Sequence, residues 1–176
     1  MIDRTADEIS ALYRRYKRGD TKAFESLYAR LSGGLFNYCV RLLGDWCHAE
    51  DVLVETFTKF ARSDLDEYGN LKAWLYRVAA NACYSFFRKQ KTELKCFERQ
   101  LKEVTDNPGP DFTEELRIQR LLNELPDYQR IVVALKFYEQ MTYRDIAEVL
   151  CCPVGTVKSR MHEGLKKLRN MMGDSI

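Results

Sequence analysis

Basic and aromatic side chains alternate along residues 71–89, and their chemistry is the most informative in this sequence. Lysine and arginine neutralise phosphates, aromatic rings stack on bases, and an amide can form hydrogen bonds with a base edge. The pattern is compatible with binding to a single nucleic-acid strand. The simpler interpretation is a solvated basic face whose extra apolar residues pack on a neighbouring helix. The side chains concerned are Lys72, Tyr76, Arg77, Asn81, Tyr84, Phe87, Arg88 and Lys89.

A second basic segment, residues 154–170, has five basic residues against the single acid Glu163. Its apolar residues have helical spacing and are expected to face inward at Val157, Met161, Leu165 and Leu168. The early outward residues are predicted to contact bases and the later lysines phosphates, although a helix that is merely soluble would also look basic. The outward set is Thr156, Lys158, Ser159, His162, Glu163 and Lys166.

The net charge of +2 over 176 residues conceals a strong segregation of charge. Residues 44–68 carry a net charge of −5, residues 71–102 carry +6, and residues 154–170 carry +4. A phosphate backbone is repelled by the first segment and attracted by the other two. The sequence therefore predicts one acidic surface for a basic or polar protein partner and two surfaces for nucleic acid.

The elements that position these side chains are predicted to be helices, because apolar residues recur at three- and four-residue spacing and no strand pattern is present. N-caps are predicted at Asp20, Asp45, Asn70 and Thr142. One helix is predicted to end at Gly33-Gly34. The longest helix, which begins after Asn70, is predicted to bury one continuous stripe, composed of Leu71, Trp74, Leu75, Val78, Ala79, Ala82, Cys83 and Phe86.

We expect an all-α protein of two small helical domains joined by a flexible linker, with a helix-turn-helix in the second domain. Residues 1–98 form the first domain, 99–112 the linker and 113–176 the second domain, because residues 105–111 collect turn and breaker residues without apolar periodicity. The helix-turn-helix is indicated by two short helices, Tyr143 to Leu150 and Val154 to Asn170, joined by a turn of about three residues.

Other function classes fit this sequence poorly. The two histidines, His48 and His162, are far apart and belong to no nucleophile or metal-ligand motif, so no catalysis, cofactor or metal is predicted. No run approaches the roughly 18 apolar residues of a membrane span, and the first residues are polar. We therefore expect a cytoplasmic protein without direct membrane insertion, whose six cysteines are free thiols.

Four blocks of residues in one order resemble the extracytoplasmic-function (group 4) σ factors of bacterial RNA polymerase, within the σ-70 family. Residues 24–28 (Phe-Glu-Ser-Leu-Tyr) and 49–57 (Ala-Glu-Asp-Val-Leu-Val-Glu-Thr-Phe) are similar to the first conserved σ domain. Residues 73–81 (Ala-Trp-Leu-Tyr-Arg-Val-Ala-Ala-Asn) resemble the promoter-melting helix. Residues 143–150 with 153–162 resemble the helix-turn-helix of the last domain.

The resemblance implies a subunit that binds core RNA polymerase, through the clamp helices of the largest subunit and the flap region, and promoter DNA, and that is restrained by an anti-σ factor. The implied polymerase-binding residues are Glu50, Asp51, Val54 and Glu55. Those for the unwound minus-ten strand are Lys72, Trp74 (expected at the edge of the core), Tyr76, Arg77, Asn81, Tyr84, Arg88 and Lys89. Those for the minus-thirty-five duplex are Thr142, Thr156, Lys158, Ser159, Arg160, His162, Glu163 and Lys166.

Four positions depart from the family pattern. Val54 stands where Gln is usual, and Ala80 and Ser85 stand where Arg and Asp are common. Glu163 stands where Arg is frequent. A carboxylate there repels phosphate but can accept a hydrogen bond from cytosine N4, so we predict an altered choice of promoter.

Two alternative functions stay open at this point. One is a helix-turn-helix transcription regulator that acts without polymerase, and the other is a σ-like adaptor that has lost promoter recognition, which Val54 and Glu163 suggest. The adjacent Cys151-Cys152 before the last helix either fills a tight turn or senses oxidants.

Overall fold

The computed structural model describes residues 4–63, 70–98 and 114–173, and this part of the chain forms eight helices and no strands. The all-α prediction is confirmed. The predicted linker, residues 99–112, lies outside the described residues. The helices are α1 (Arg4–Lys17), α2 (Thr21–Leu43), α3 (Trp46–Arg62), α4 (Leu71–Glu98), α5 (Glu114–Asn123), α6 (Asp127–Phe137), α7 (Tyr143–Val149) and α8 (Val154–Gly173).

All four predicted N-caps are confirmed, because each side chain accepts a hydrogen bond from a backbone N–H of the first turn. The donors are three residues further on, at 3.3 Å for Asp20, 2.8 Å for Asp45, 3.0 Å for Asn70 and 3.2 Å for Thr142. These bonds satisfy donors that a helix cannot pair internally. Gly44, with φ of 69°, ends α2 immediately before Asp45 begins α3, so only two residues connect these helices.

The predicted helix end at Gly33-Gly34 is wrong, because α2 is continuous from Thr21 to Leu43. Glycine serves a different purpose here. A Cβ at Gly34 would lie 3.1 Å from the hydroxyl of Tyr76 and 3.8 Å from a carboxylate oxygen of Glu139. The residue therefore permits α2, α4 and the end of α6 to approach closely, at the cost of helix propensity.

Helices α1 to α4 pack around an aromatic core centred on Phe60, which is 1% exposed. Its ring lies 5.9 Å from Tyr13, 5.6 Å from Tyr16 and 5.8 Å from Phe24, between centroids. Tilted and offset aromatic contacts at these distances add to the stability gained from burial. This core positions α3 and α4 with their polar faces outward.

Helices α5 to α8 form a second group, in which α6 is the central helix. Residues 131–135 of α6 are all buried, and they pack against inward residues of α7 and α8 such as Ile146, Val149 and Val157, each 0% exposed. A helix that is apolar nearly all round must have neighbours on several sides. Here α7 and α8 cover part of its surface and α2 and α4 of the first group cover another part.

The two groups meet at the guanidinium of Arg130, which is 9% exposed. Its Nη1 donates to the carbonyl of Leu42 at 3.3 Å, and its Nη2 donates to the carbonyls of Asn123 at 2.6 Å and Leu125 at 3.3 Å. The guanidinium carbon lies 4.6 Å from the centre of the Phe87 ring. Burial lowers the pKa of Arg130, and nearby Asp127 and Glu124 oppose this shift.

We expect Arg130→Met to lower the free energy of unfolding by about 2–4 kcal/mol, since it leaves buried carbonyls of α2 and the α5–α6 connection without a donor. Urea denaturation followed by circular dichroism measures the change. Arg62→Met, at an exposed position of α3, is the matched control and should cost less than about 0.5 kcal/mol. Equal effects of the two substitutions would contradict this role for Arg130.

Candidate nucleic-acid interface and protein-binding surface

The outer face of α3 carries the predicted protein-binding residues. Glu50, Asp51, Val54 and Glu55 are all exposed, and Val54 is exposed to 58%, unusually for an apolar side chain. Glu55 accepts a hydrogen bond from Lys59 at 2.5 Å, one helical turn later. Because this pair is exposed, it contributes little stability and leaves the acidic face available.

Sequence reasoning missed Trp46, the first residue of α3, which is 70% exposed. Its ring makes an edge contact with the ring of Phe36, with centroids 5.2 Å apart. The signal that could have found it is spacing, because Trp46, Glu50 and Val54 are four residues apart and follow one side of a helix. Asp45 caps the same end of α3, and the backbone N–H of His48 lowers the pKa of Asp45.

The predicted buried stripe of α4 is partly wrong. Four members of the stripe are buried, namely Leu71, Leu75, Ala79 and Cys83, and the other four are half-buried, including Trp74, as expected of an edge position. The predicted surface positions of Tyr76 and Phe87 are also wrong, since they are 3% and 4% exposed. The reason is that α4 packs against α2 and α3 on one side and against α6 and α7 on another. One stripe cannot describe a helix with neighbours on two sides.

Tyr76 lies at the junction between the two helical groups. Its ring is 5.3 Å from Tyr38, between centroids, and its hydroxyl donates to the carboxylate of Glu139. Burial and this carboxylate raise the pKa of Tyr76 well above its usual value, so the phenol stays protonated and remains a donor.

Arg77 is half-buried at the same junction. Its Nη2 donates to the backbone carbonyl of Glu148 in α7 at 2.7 Å, and its buried Nε has no partner among the described residues. The Glu148 side chain accepts a hydrogen bond from Asn70 at 3.4 Å. Two predicted minus-ten residues, Tyr76 and Arg77, are thus engaged by the second helical group.

The remaining predicted residues of α4 lie at or near the surface. Asn81, Tyr84, Arg88 and Lys89 are exposed, and Lys72 is half-buried with its Nζ 5.7 Å from the centre of the Tyr76 ring. Exposed basic, aromatic and amide groups on one helix match the chemistry of single-strand binding.

The helix-turn-helix is formed as predicted by α7 and α8. Thr142 caps α7 in a capping box, in which its hydroxyl accepts from the N–H of Asp145 and the Asp145 carboxylate accepts from the N–H of Thr142. In the turn, Cys151 has φ of 47° and is exposed, whereas Cys152 is half-buried against the core. Val157 and Met161 of α8 are buried as predicted, and Leu165 and Leu168 are half-buried.

The outward face of α8 presents most of the predicted duplex-binding residues. Five of them are exposed, namely Lys158, Ser159, His162, Glu163 and Lys166, while Thr156 and Arg160 are half-buried. Glu163 is exposed and accepts a hydrogen bond at 3.1 Å from Nε2 of Gln129, a side chain that is itself 1% exposed. The partner on α6 therefore restrains the orientation of the Glu163 carboxylate.

A pocket of about 220 Å³ brings the two predicted nucleic-acid faces together. Asn81 and Tyr84 of α4 line one side, and Arg160 of α8 and Tyr128 of α6 line the other. The guanidinium carbon of Arg160 lies 5.5 Å from the centre of the Tyr128 ring. In this arrangement the α4 surface and the Arg160 side of α8 face each other across the pocket. They do not form one solvent-exposed surface that a single strand could contact.

Two family models match the chain in the two helical groups. The model for σ-70 region 2 matches residues 27–93, and the model for σ-70 region 4 matches residues 115–168. The first match contains α3 and most of α4, and the second contains the complete α6 and α7.

Similarity to characterised proteins extends along nearly the whole chain. The ECF RNA polymerase sigma factor SigW of Bacillus subtilis is 32% identical, over 92% of this chain and 95% of its own. The chain belongs to the ECF σ factors. The predicted family and the predicted function in transcription initiation are thereby confirmed. The ECF RNA polymerase sigma-E factor of Escherichia coli K12 is 29% identical, over 97% of this chain and 96% of its own.

Two solved structures share the fold. The sigma factor RpoE from Bartonella quintana, crystallised with the anti-sigma factor NepR, has a TM-score of 0.68 and 26% identity, over 86% of this chain and 98% of its own. CnrH, in complex with the cytosolic domain of CnrY, has a TM-score of 0.75 over 96% of this chain and 99% of its own, at 21% identity. The two-domain helical architecture is thereby confirmed. No helix in the described ranges has the length and apolar composition to cross a membrane.

We expect Thr142→Ala to lower the free energy of unfolding by about 1 kcal/mol, because the N-cap bond to Asp145 is lost. Thermal or urea denaturation of the free chain measures the effect. Thr58→Ala, an exposed threonine within α3, removes the same atoms without a cap and should be neutral or slightly stabilising. A loss of the same size in both variants would show that the cap is unimportant.

Proposed function

We propose that this σ factor uses three separate surfaces, one on each of α3, α4 and α8, to bind core RNA polymerase, the minus-ten strand and the minus-thirty-five duplex. The observation that carries this proposal is the segregation of charge on the fold. The acidic face of α3 is exposed in the same helical group as the basic, aromatic α4, and the basic α8 lies in the other group. The first domain is residues 1–98, the linker 99–112 and the second domain 113–176.

The α3 surface suits a protein partner rather than DNA. Three exposed carboxylates, on Glu50, Asp51 and Glu55, repel phosphates but complement lysine and arginine side chains on a polymerase surface. Val54 adds an apolar contact at the position where the family usually has Gln. We assign this face to the clamp helices of the largest polymerase subunit, with the flap region as a contact of the second domain.

The α4 and α8 surfaces suit nucleic acid for different reasons. On α4, Asn81 and Tyr84 can pair with and stack on unpaired bases, while Arg88 and Lys89 neutralise phosphates. On α8, the exposed side chains follow the turn of a helix-turn-helix, and its early residues enter the major groove in proteins of this type. Catalysis of RNA synthesis then belongs to the core enzyme, and this chain acts in the cytoplasm as a recognition subunit, not as an enzyme.

Binding of both promoter elements requires the two helical groups to separate. In this structure Tyr76 is buried and Arg77 is hydrogen-bonded to α7. A DNA strand can therefore reach this part of α4 only when α7 has moved away. The proposed linker 99–112 permits that movement. An anti-σ factor, the kind of partner present in the structure of the relative from Bartonella quintana, would act by controlling access to these surfaces.

Fluorescence energy transfer tests this separation. Dyes on Asp7→Cys in α1 and Asn170→Cys in α8 should show lower transfer when core polymerase and promoter DNA are added, because the two groups move apart. Dyes on Asp7→Cys and Arg62→Cys, both in the first group, should show no change. Unchanged transfer for the first pair in an active complex would rule out separation. The labelled chains carry serine in place of Cys47, Cys96, Cys151 and Cys152.

A mixture of the purified chain, core polymerase and a promoter library tests the proposed function. Specific initiation on a subset of promoters is the expected result. Polymerase binding without initiation would identify the adaptor alternative, and duplex binding without polymerase binding would identify a regulator that acts alone. Either result would overturn the proposal.

We expect Glu163→Arg to change which promoters the chain selects, because it replaces an acceptor for cytosine N4 by a donor for guanine and adds phosphate attraction. Selection from a randomised minus-thirty-five element measures the preference, with a change of about 1–3 kcal/mol at one base pair. Asp7→Arg, on α1, changes the net charge equally and should leave the preference unchanged. An unaltered preference in Glu163→Arg would show that Glu163 contacts no base.

A further inference from the structure

Trp46 is the most exposed large apolar side chain in the described part of the chain, at 70%. Its position is nevertheless restrained by neighbouring residues. Asp45 caps the helix directly before it, and the half-buried ring of Phe36 supports one edge of the indole at 5.2 Å between centroids. An indole that is restrained but uncovered loses little conformational entropy when a partner covers it.

Trp46 and Val54 lie on one side of α3 with Glu50 between them. Steps of four residues advance about 6 Å along a helix axis and rotate by about 40°, so the three side chains form a slanting row about 12 Å long. The row is apolar at its ends, where Trp46 is 70% and Val54 58% exposed. Exposed carboxylates of Asp51 and Glu55 flank it.

We propose that Trp46 is a principal contact of α3 with core RNA polymerase and that, together with Val54, it inserts into an apolar groove bordered by basic side chains. This inference rests on the proposed binding of α3 to polymerase and extends it to a residue outside the set Glu50, Asp51, Val54 and Glu55. Tryptophan is enriched among residues that dominate binding energy, and such residues lie within a rim of polar contacts.

The charge around Trp46 favours a protein partner over nucleic acid. A tryptophan that stacks on bases needs basic neighbours to hold the phosphates, whereas Trp46 has Asp45 before it and Glu50 one turn later. The partner is therefore a protein surface that offers both apolar area and positive charge. The acidic groups would contribute mainly to the rate of association and to specificity, and the indole to the lifetime of the complex.

Titration of the full chain with core polymerase at low and high salt tests the proposal. Trp46→Ala should weaken binding about tenfold or more at both salt concentrations, since burial of apolar surface is not screened. Asp51→Asn should weaken binding at low salt and have a smaller effect at high salt. Tyr28→Ala, which removes another exposed aromatic (42%) from α2, a helix to which no polymerase contact is assigned, is the matched control and should bind normally.

The outcomes separate this inference from the proposed function. If the native chain fails to bind core polymerase, the proposed function itself is wrong. If the native chain binds and Trp46→Ala binds equally well, or loses no more affinity than Tyr28→Ala, only the assignment of Trp46 is wrong. Trp46→Tyr should retain part of the affinity, and circular dichroism must show that each variant melts at the native temperature within a few degrees.

Discussion

The contact on which the arrangement of this molecule most depends is the buried guanidinium of Arg130. It is bonded to the carbonyl end of α2, to the last carbonyl of α5 and to one carbonyl between α5 and α6, while Phe87 of α4 lies against its face. A charge in such a site is stable only because several dipoles solvate it in place of water. Since those dipoles belong to both helical groups, Arg130 helps to hold the groups in this relative position.

The division of charge on the chain follows from this architecture. In the proposed function the chain binds polymerase, an unpaired strand and a duplex, and oppositely charged surfaces on a single small helix would cancel. The acidic face therefore occupies α3, and the basic residues occupy α4 and α8, which are held apart from it by apolar packing. The small net charge of +2 is thus the sum of opposed surfaces and says little about any one of them.

Local features were predictable from the sequence and contacts between distant segments were not. The four N-caps depend on residues three positions apart, so their identity and spacing were sufficient to locate them. The burial of Tyr76 and Phe87 depends on Glu139 and Arg130, which are more than 40 residues away. Helical periodicity shows that a side chain is apolar, but it does not show that a second domain will cover it. The same limit concealed Trp46, because exposure of an apolar residue becomes visible only when its neighbours are known.

Gly34 has a consequence for mutational tolerance. In α2 considered alone, alanine at this position would favour the helix by up to about 1 kcal/mol. In the joined arrangement the added Cβ would lie 3.1 Å from the Tyr76 hydroxyl, which must then shift by a few tenths of an ångström beside Glu139. A methyl group at residue 34 thus favours the first domain alone and disfavours its packed arrangement with the second domain. If the two groups separate as proposed, variation at residue 34 is governed by the balance between the joined and separated arrangements and not by the stability of either one alone.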